Sequence, residues 1–156
     1  MKILSALLAV FFLVTAPCAH VIAGPDDEKK VEFFVIHKDG GPGRIPIKVE
    51  SLAIDAHCGT EPDMVVKGLR EVEVVAAEAA DGVPSLLIRL NEKDAKRFAE
   101  MSGDSIGKRI LILVCDEPIT APTVMDRIAG GRVMISAGDA DKIRELERTL
   151  RGMVKD

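Results

Sequence analysis

The chain has 156 residues and carries 25 acidic against 21 basic side chains, a formal net charge of −4 at pH 7. That balance gives it no electrostatic reason to seek nucleic acid or an anionic lipid surface. It holds five Phe, no Trp and no Tyr, which argues against base-stacking platforms, aromatic sugar shelves and a Tyr acid/base, and leaves a core of Val, Ile, Leu, Met and Ala.

At the start, Lys2 precedes an apolar run over residues 3–16 that only Ser5 and Thr15 interrupt. The run has the length of a signal-peptide core and falls short of the ~18–20 residues that cross a bilayer. Small Ala23, with Val21 two residues earlier, marks cleavage between Ala23 and Gly24; cutting after Gly24 or after Cys18 is the alternative. Two other readings are an uncleaved anchor helix and a lipoprotein acylated at Cys18, the latter opposed by Pro17 where a small flexible residue is wanted. Residues 1–23 are thus expected to be a signal peptide and 24–30 a polar, flexible leader. The rest is expected to be one exported domain, periplasmic or secreted, without stable membrane insertion after cleavage. Its first strands and loop fall in 31–67 and the remainder in 68–152.

Residues 31–36 form an apolar strand candidate, closed by the turn cluster Lys38-Asp39-Gly40-Gly41-Pro42-Gly43. Residues 45–54 alternate, with Ile45, Ile47 and Val49 against Pro46, Lys48 and Glu50, and read as a second strand; 56–63 read as a loop. Residues 65–75 are ambiguous until Val72 and Val74 alternate with Glu71 and Glu73. Asp81-Gly82-Val83-Pro84 then turns the chain into a strand over 85–90.

Asn91 is a good helix N-cap, with Asp94 in a capping-box-like position, and Ala95, Phe98, Ala99 and Ser102 share one face. The unbroken apolar run 110–114 predicts a central strand buried on both faces. Asp116-Glu117-Pro118 returns the chain through 119–124, and Gly130-Gly131 leads into a strand over 132–136. Asp139 caps a last helix whose Ile143, Leu146, Leu150 and Met153 point one way, with Glu147 and Arg151 paired on the wet side. The pattern predicts an α+β fold: a single antiparallel or mixed β-sheet with two main helices packed on one face.

The sharpest chemical feature is His57-Cys58. A thiolate beside an imidazole can be nucleophilic, and His37, His57, Cys58 and Cys115 are metal-ligating types. Adjacent residues usually point apart, however, and no third orienting group or paired CxxC or HxxxH spacing follows. Neither a catalytic site, a metal site nor a cofactor is expected. Gly40-Gly41-Pro42-Gly43 and Gly130-Gly131 lack the Lys-Ser/Thr ending of a phosphate cradle and read as turns. Glu71, Glu73, Asp139 and Asp141 read as exposed or capping carboxylates rather than a converging acid/base pair. In an oxidising compartment Cys58 and Cys115 invite a disulfide, which would stabilise by roughly 4 kcal/mol in the chain-entropy picture; two separate thiols are the alternative.

From Gly68 onward the order of segments resembles the first periplasmic head domain of SecD, the accessory subunit of bacterial protein export. The resemblance runs through Asp81-Gly82-Val83-Pro84-Ser85-Leu86-Leu87-Ile88-Arg89-Leu90 and the helix with Ala95, Phe98 and Ala99. It continues through Gly107-Lys108-Arg109 before the apolar strand, Ile119-Thr120-Ala121-Pro122, Ile128-Ala129-Gly130-Gly131 and a helix closing at Leu150-Arg151. Two departures stand out: Cys115-Asp116-Glu117-Pro118 occupies a turn that an Asp-Gly or Asn-Gly pair usually makes, and nothing before Gly68 matches. With no apolar segment after 3–16 long enough to cross a membrane, the proton-driven motor is not carried over. The resemblance implies the head's fold and contact with polypeptide or an envelope protein. That contact would lie in a groove between sheet and helices or around Thr120, Ala121, Pro122, Gly130 and Gly131. The rival readings are a secreted hydrolase or redox protein using Cys58 with His57, and a structural subunit of an envelope complex.

Overall fold

The computed structural model describes residues 29–77 and 82–155; the expected signal peptide, its cleavage site at Ala23 and Gly24, Cys18 and Asp81 lie outside them. Among the described residues the order is β1 (Val31–Ile36), β2 (Arg44–Val49), β3 (Ile54–Gly59), β4 (Met64–Val66), β5 (Leu69–Val75) and β6 (Ser85–Leu90). Then come α1 (Glu92–Gly103), β7 (Arg109–Val114), β8 (Glu117–Thr120), β9 (Arg132–Ile135) and α2 (Ala140–Arg151). No helix among these residues is long and apolar enough to cross a membrane.

Over the described residues the fold is α+β with two helices, as the patterning predicts, but the strands divide into three antiparallel ladders: β4-β1-β7-β8, β2-β3 and β5-β6-β9. The cause lies in β1 and β7, which pair from Val31↔Val114 to Ile36↔Arg109 and, Glu32 and Arg109 apart, are apolar on both faces. Side chains alternate across a strand, so such a pair needs a cover on each side. Val31, Phe33, Val35, Ile110, Ile112 and Val114 enter a larger core closed by β5, β6, α1 and α2. There Phe98 of α1 meets Phe33 in a tilted aromatic pair, ring centroids 5.0 Å apart, which anchors α1 on β1. Phe34, Ile36, Leu111 and Leu113 face the other way into a second core with Ile54, Cys58 and Ala121, roofed by Ile45, Ile47, Val49, Leu52 and Ala56 of the β2–β3 hairpin.

This hairpin is where local reading and structure differ most. Residues 45–54 are not one strand: β2 stops at Val49, Glu50–Leu52 make a single 3-10 turn, and Ala53 takes φ 49° to reverse the chain. β3 then occupies the first half of the stretch expected as a loop, with Ile54 and Cys58 buried on the same parity. One bridge attaches the hairpin to β1: His37 N–H donates to His57 O at 2.8 Å, and His57 N–H to His37 O at 2.9 Å. β4 pairs only as far as Phe33↔Met64. In the gap, Val35 N–H donates to Asp63 Oδ2 at 2.7 Å, so the buried edge of β1 keeps its donor satisfied.

Both helices start where their caps predict. Asn91 Oδ1 accepts from Asp94 N–H at 2.9 Å, and its amide Nδ2 donates back to Asp94 Oδ2 at 2.8 Å. Asp139 Oδ1 accepts from Lys142 N–H at 2.7 Å. The predicted inner faces are buried, namely Phe98, Ala99 and Ser102 in α1 and Ile143, Leu146 and Leu150 in α2. The Arg151 guanidinium sits 2.7 Å from Glu147.

Candidate functional site

Past β8 the backbone keeps pairing with β7: Ile110 N–H donates to Pro122 O at 3.0 Å, and Val124 N–H to Lys108 O at 2.9 Å. The chain then crosses toward α1, where buried Ser102 Oγ accepts from Ile128 N–H at 3.0 Å and donates to Ala99 O at 3.2 Å. Gly131 ends the crossing in the left-handed region, φ 59°, with its carbonyl accepting from Leu90 N–H at 2.9 Å. A Cβ there would lie 2.5 Å from Ala95 Cβ, so only glycine brings β9 this close to α1.

Between the 122–128 segment and β9 this course leaves an open groove of about 390 Å³. Phe98, Ile110, Ile112, Val124 and Val133 form its apolar floor. Its two walls raise thioethers into solvent: Met125 is 82% exposed and Met134 49%. Met is flexible and polarizable, a side chain suited to surfaces that accept varied apolar partners. Arg127 and Arg132 also line the groove, and neither has an ion-pair partner among the described residues.

The residues singled out in the sequence surround this groove but do not all enter it. Pro122 lines it. Thr120 ends β8, its side chain half-buried. Ala121 turns to the opposite face, into the second core, while its carbonyl accepts from Arg109 Nε at 2.9 Å. Gly130 is exposed at the turn, and Gly131 sets the distance to α1. Met125 and Met134 carried no sequence signal of function. Only the parity of Arg132 and Met134 against Val133 and Ile135 hinted at an exposed methionine on β9.

The cysteine–histidine alternative meets a different geometry. Cys58 is buried in the second core, and burial, followed by the charge of Asp63, pushes its thiol above the usual range. A thiol held protonated is a poor nucleophile. His57 lies on the other face of β3, its Nδ1 buried without a hydrogen-bond partner and its ring against Gly40. Burial holds His37 below the ordinary imidazole value, helped by Arg44 and Lys108 and opposed by Asp63. Among the described residues no three His, Cys, Asp or Glu side chains converge as metal ligands. The expected Cys58–Cys115 disulfide is also corrected, since both thiols are free. Cys115 N–H donates to Lys30 O at one end of β1, whereas His57 pairs with His37 at the other. That run of β1 spans roughly 20 Å at ~3.3 Å per residue, far beyond the ~7 Å between Cα atoms that a disulfide tolerates.

The fold places the molecule among SecDF structures. It aligns at TM-score 0.60 with the membrane component SecDF that enhances protein export, at 20% identity, covering 80% of this chain and 62% of that one. It aligns equally, at TM-score 0.60 and 22% identity, with SecDF in its super-membrane-facing form, covering 80% and 19% of the two chains. The protein translocase subunit SecD of Leptotrichia buccalis is 30% identical over 107 residues, 69% of this chain and 22% of its own length. That of Acidaminococcus fermentans is 32% identical over 92 residues, 58% and 22% respectively. The matched region therefore spans about a fifth of those relatives. The family model for the SecDF P1 head subdomain matches residues 58–153, and the chain belongs to that family. The match begins at residue 58 rather than 68, so it includes Cys58 and Asp63, which the sequence words alone left outside.

Proposed function

We propose that this protein works outside the cytoplasm as a non-enzymatic accessory domain that contacts polypeptide in the course of protein export or within the cell envelope. The observation that carries this reading is the groove, with its apolar floor and its two exposed methionines, Met125 and Met134. Such a floor rewards apolar side chains of any shape, and flexible rims let the fit vary from partner to partner. Membership in the SecDF head family and the names of the relatives, translocase subunits and a component that enhances export, support the same direction. The expected signal peptide is consistent with delivery to a periplasmic or secreted location.

The test is site-specific photocrosslinking in living cells. A photoreactive residue at Met125 or Met134 is expected to capture polypeptide, whereas one at Val154, exposed beside β5 at the opposite edge of the β5-β6-β9 ladder, captures little. Equal capture at all three positions, or none at the groove, would sink the reading.

A further inference from the structure

Among the described residues, the wall that β9 contributes to the groove is an open strand edge, because β9 ends its ladder with β6 as its one neighbour. Which of its backbone groups face outward follows from the register. Gly131 O accepts from Leu90 N–H, so the carbonyl of residue 131 points to β6. Antiparallel hydrogen bonds recur at every second residue. Val133 and Ile135, paired with Ile88 and Leu86, therefore also face β6, and Arg132 and Met134 present their N–H and C=O groups away from it. The opposite wall offers less: Thr123 is bridged to Arg109 by bonds through its neighbours, so only its own amide and carbonyl turn outward.

Two further observations describe what fits there. A strand laid beside β9 would point alternate side chains to the floor of Phe98, Ile112 and Val133 and the others to solvent past Met134. Arg127 and Arg132, both without ion-pair partners among the described residues, stand on opposite walls. Against one carboxylate in the lining, Asp126, the two guanidinium groups leave the balance positive and favour an occupant whose outward residues include carboxylates.

Building on the reading of the groove as a polypeptide site, we propose that its occupant is an extended polypeptide segment, apolar at every second residue and acidic between, which hydrogen-bonds to the outer edge of β9 as an added strand. Backbone pairing at Arg132 and Met134 holds the segment whatever its sequence, and the floor selects for apolar alternation. This explains how one site serves many chains: the recognised groups are the amides that every polypeptide shares.

The probe is a heptapeptide of alternating Val and Glu, with two analogues N-methylated on one or the other set of alternate amides. N-methylation removes the donor and blocks the edge. One analogue is expected to lose about tenfold or more in affinity, since it forfeits hydrogen bonds to β9, and the other to bind as the parent does. In the protein, the amides of Arg132 and Met134 are expected to gain protection from hydrogen exchange when the parent binds. Met134→Pro deletes the outward donor and is expected to weaken binding well beyond Met134→Ala, with circular dichroism checking that the fold survives. If both analogues bind as the parent does and no protection appears at Arg132 and Met134, the strand-addition mode is overturned while crosslinking at Met125 still upholds polypeptide contact. If the parent peptide does not bind, strand addition fails too. Crosslinking at Met125 then reports separately on the broader reading.

Discussion

The two faces of the β1–β7 pair are both largely apolar, though the second also carries Glu32 and Arg109, and they are covered in unlike ways. Phe33 looks into a core closed by two helices and a second ladder; Phe34, its neighbour, looks into one roofed by a two-stranded hairpin. The first cover is tied on through α1, α2 and the return of Met153 and Lys155 to Leu69 by backbone bonds of 2.9 and 3.1 Å. The second is tied to β1 by one backbone bridge between His37 and His57 and to β7 by Arg109 Nη2, which donates to Leu52 O at 3.1 Å. The better-tied face is also the one that opens the groove. Closing a large core with two ladders leaves their edge strands meeting imperfectly, and that mismatch is the seam between residues 122–128 and β9.

Truncating the two phenylalanines tests the contrast most severely. Phe33→Ala removes a ring with 0% exposure and its partner contact to Phe98, and is expected to cost about 4–5 kcal/mol of unfolding free energy. Phe34→Ala deletes the same atoms at 1% exposure, but a hairpin held by one bridge and one side-chain hydrogen bond can settle into the space, and the expected cost is about 3 kcal/mol. Urea denaturation gives both numbers. Hydrogen exchange locates them: Phe34→Ala is expected to release β2 and β3 amides while β6 and β7 stay protected. Equal costs with uniform release would mean that the two covers act as one unit.

A smaller contrast sits in two glycines. Gly131, on the groove side, combines φ 59° with a prospective Cβ contact of 2.5 Å to Ala95, so Gly131→Ala adds overpacking to backbone strain and is expected to cost about 2–3 kcal/mol. Gly43, in the hairpin's approach, has φ 71° and open space around its Cβ position; Gly43→Ala is expected to cost only about 1 kcal/mol, from the left-handed backbone alone. A cost for Gly131→Ala no greater than for Gly43→Ala would show that α1 yields at Ala95, and with it the groove wall.

How much of this was legible depends on how local each cause is. β1, β6, the caps at Asn91 and Asp139 and the buried helix faces follow from residues within a turn or two of each other, and sequence periodicity reports them. That 110–114 is buried on both faces was also visible; what covers the second face was not, because β3 reads weakly, with Ala56 and Cys58 standing where larger apolar residues would announce a strand. The disulfide expectation failed for a long-range reason. Composition says that two thiols exist, but only the pairing of β1 with both β7 and the hairpin shows that they land at opposite ends of it. The groove was approached through Pro122, Gly130 and Gly131, which shape or border it. Its exposed methionines were missed because an isolated Met in a loop has no period to break.

Acid and alkali give the mildest probe: between pH 5 and 9.5 the shifted groups whose ordinary values fall in the window, His37 and Cys58, both lie at the hairpin. The group nearest the bridge is His37, whose folded-state value lies below the ordinary 6.5, chiefly through burial and then through Arg44 and Lys108, with Asp63 opposing and His57 opposite it on the bridge. Between 6.5 and that lower value the unfolded chain binds a proton that the folded one does not, so stability is lost as pH falls below 6.5. Cys58 acts in the other direction. Its thiol is raised above 9.0 by burial, so the unfolded chain deprotonates first and stability falls as pH rises past that value. Hydrogen exchange at pH 5, 7 and 9.5 is expected to show β2 and β3 amides least protected at the two extremes, with α1, β6 and β9 little changed. His37→Gln is expected to flatten the acid limb and Cys58→Ala the alkaline one. An acid limb that survives His37→Gln would show that His37 is not its source and leave the hairpin as the weaker cover for a different reason.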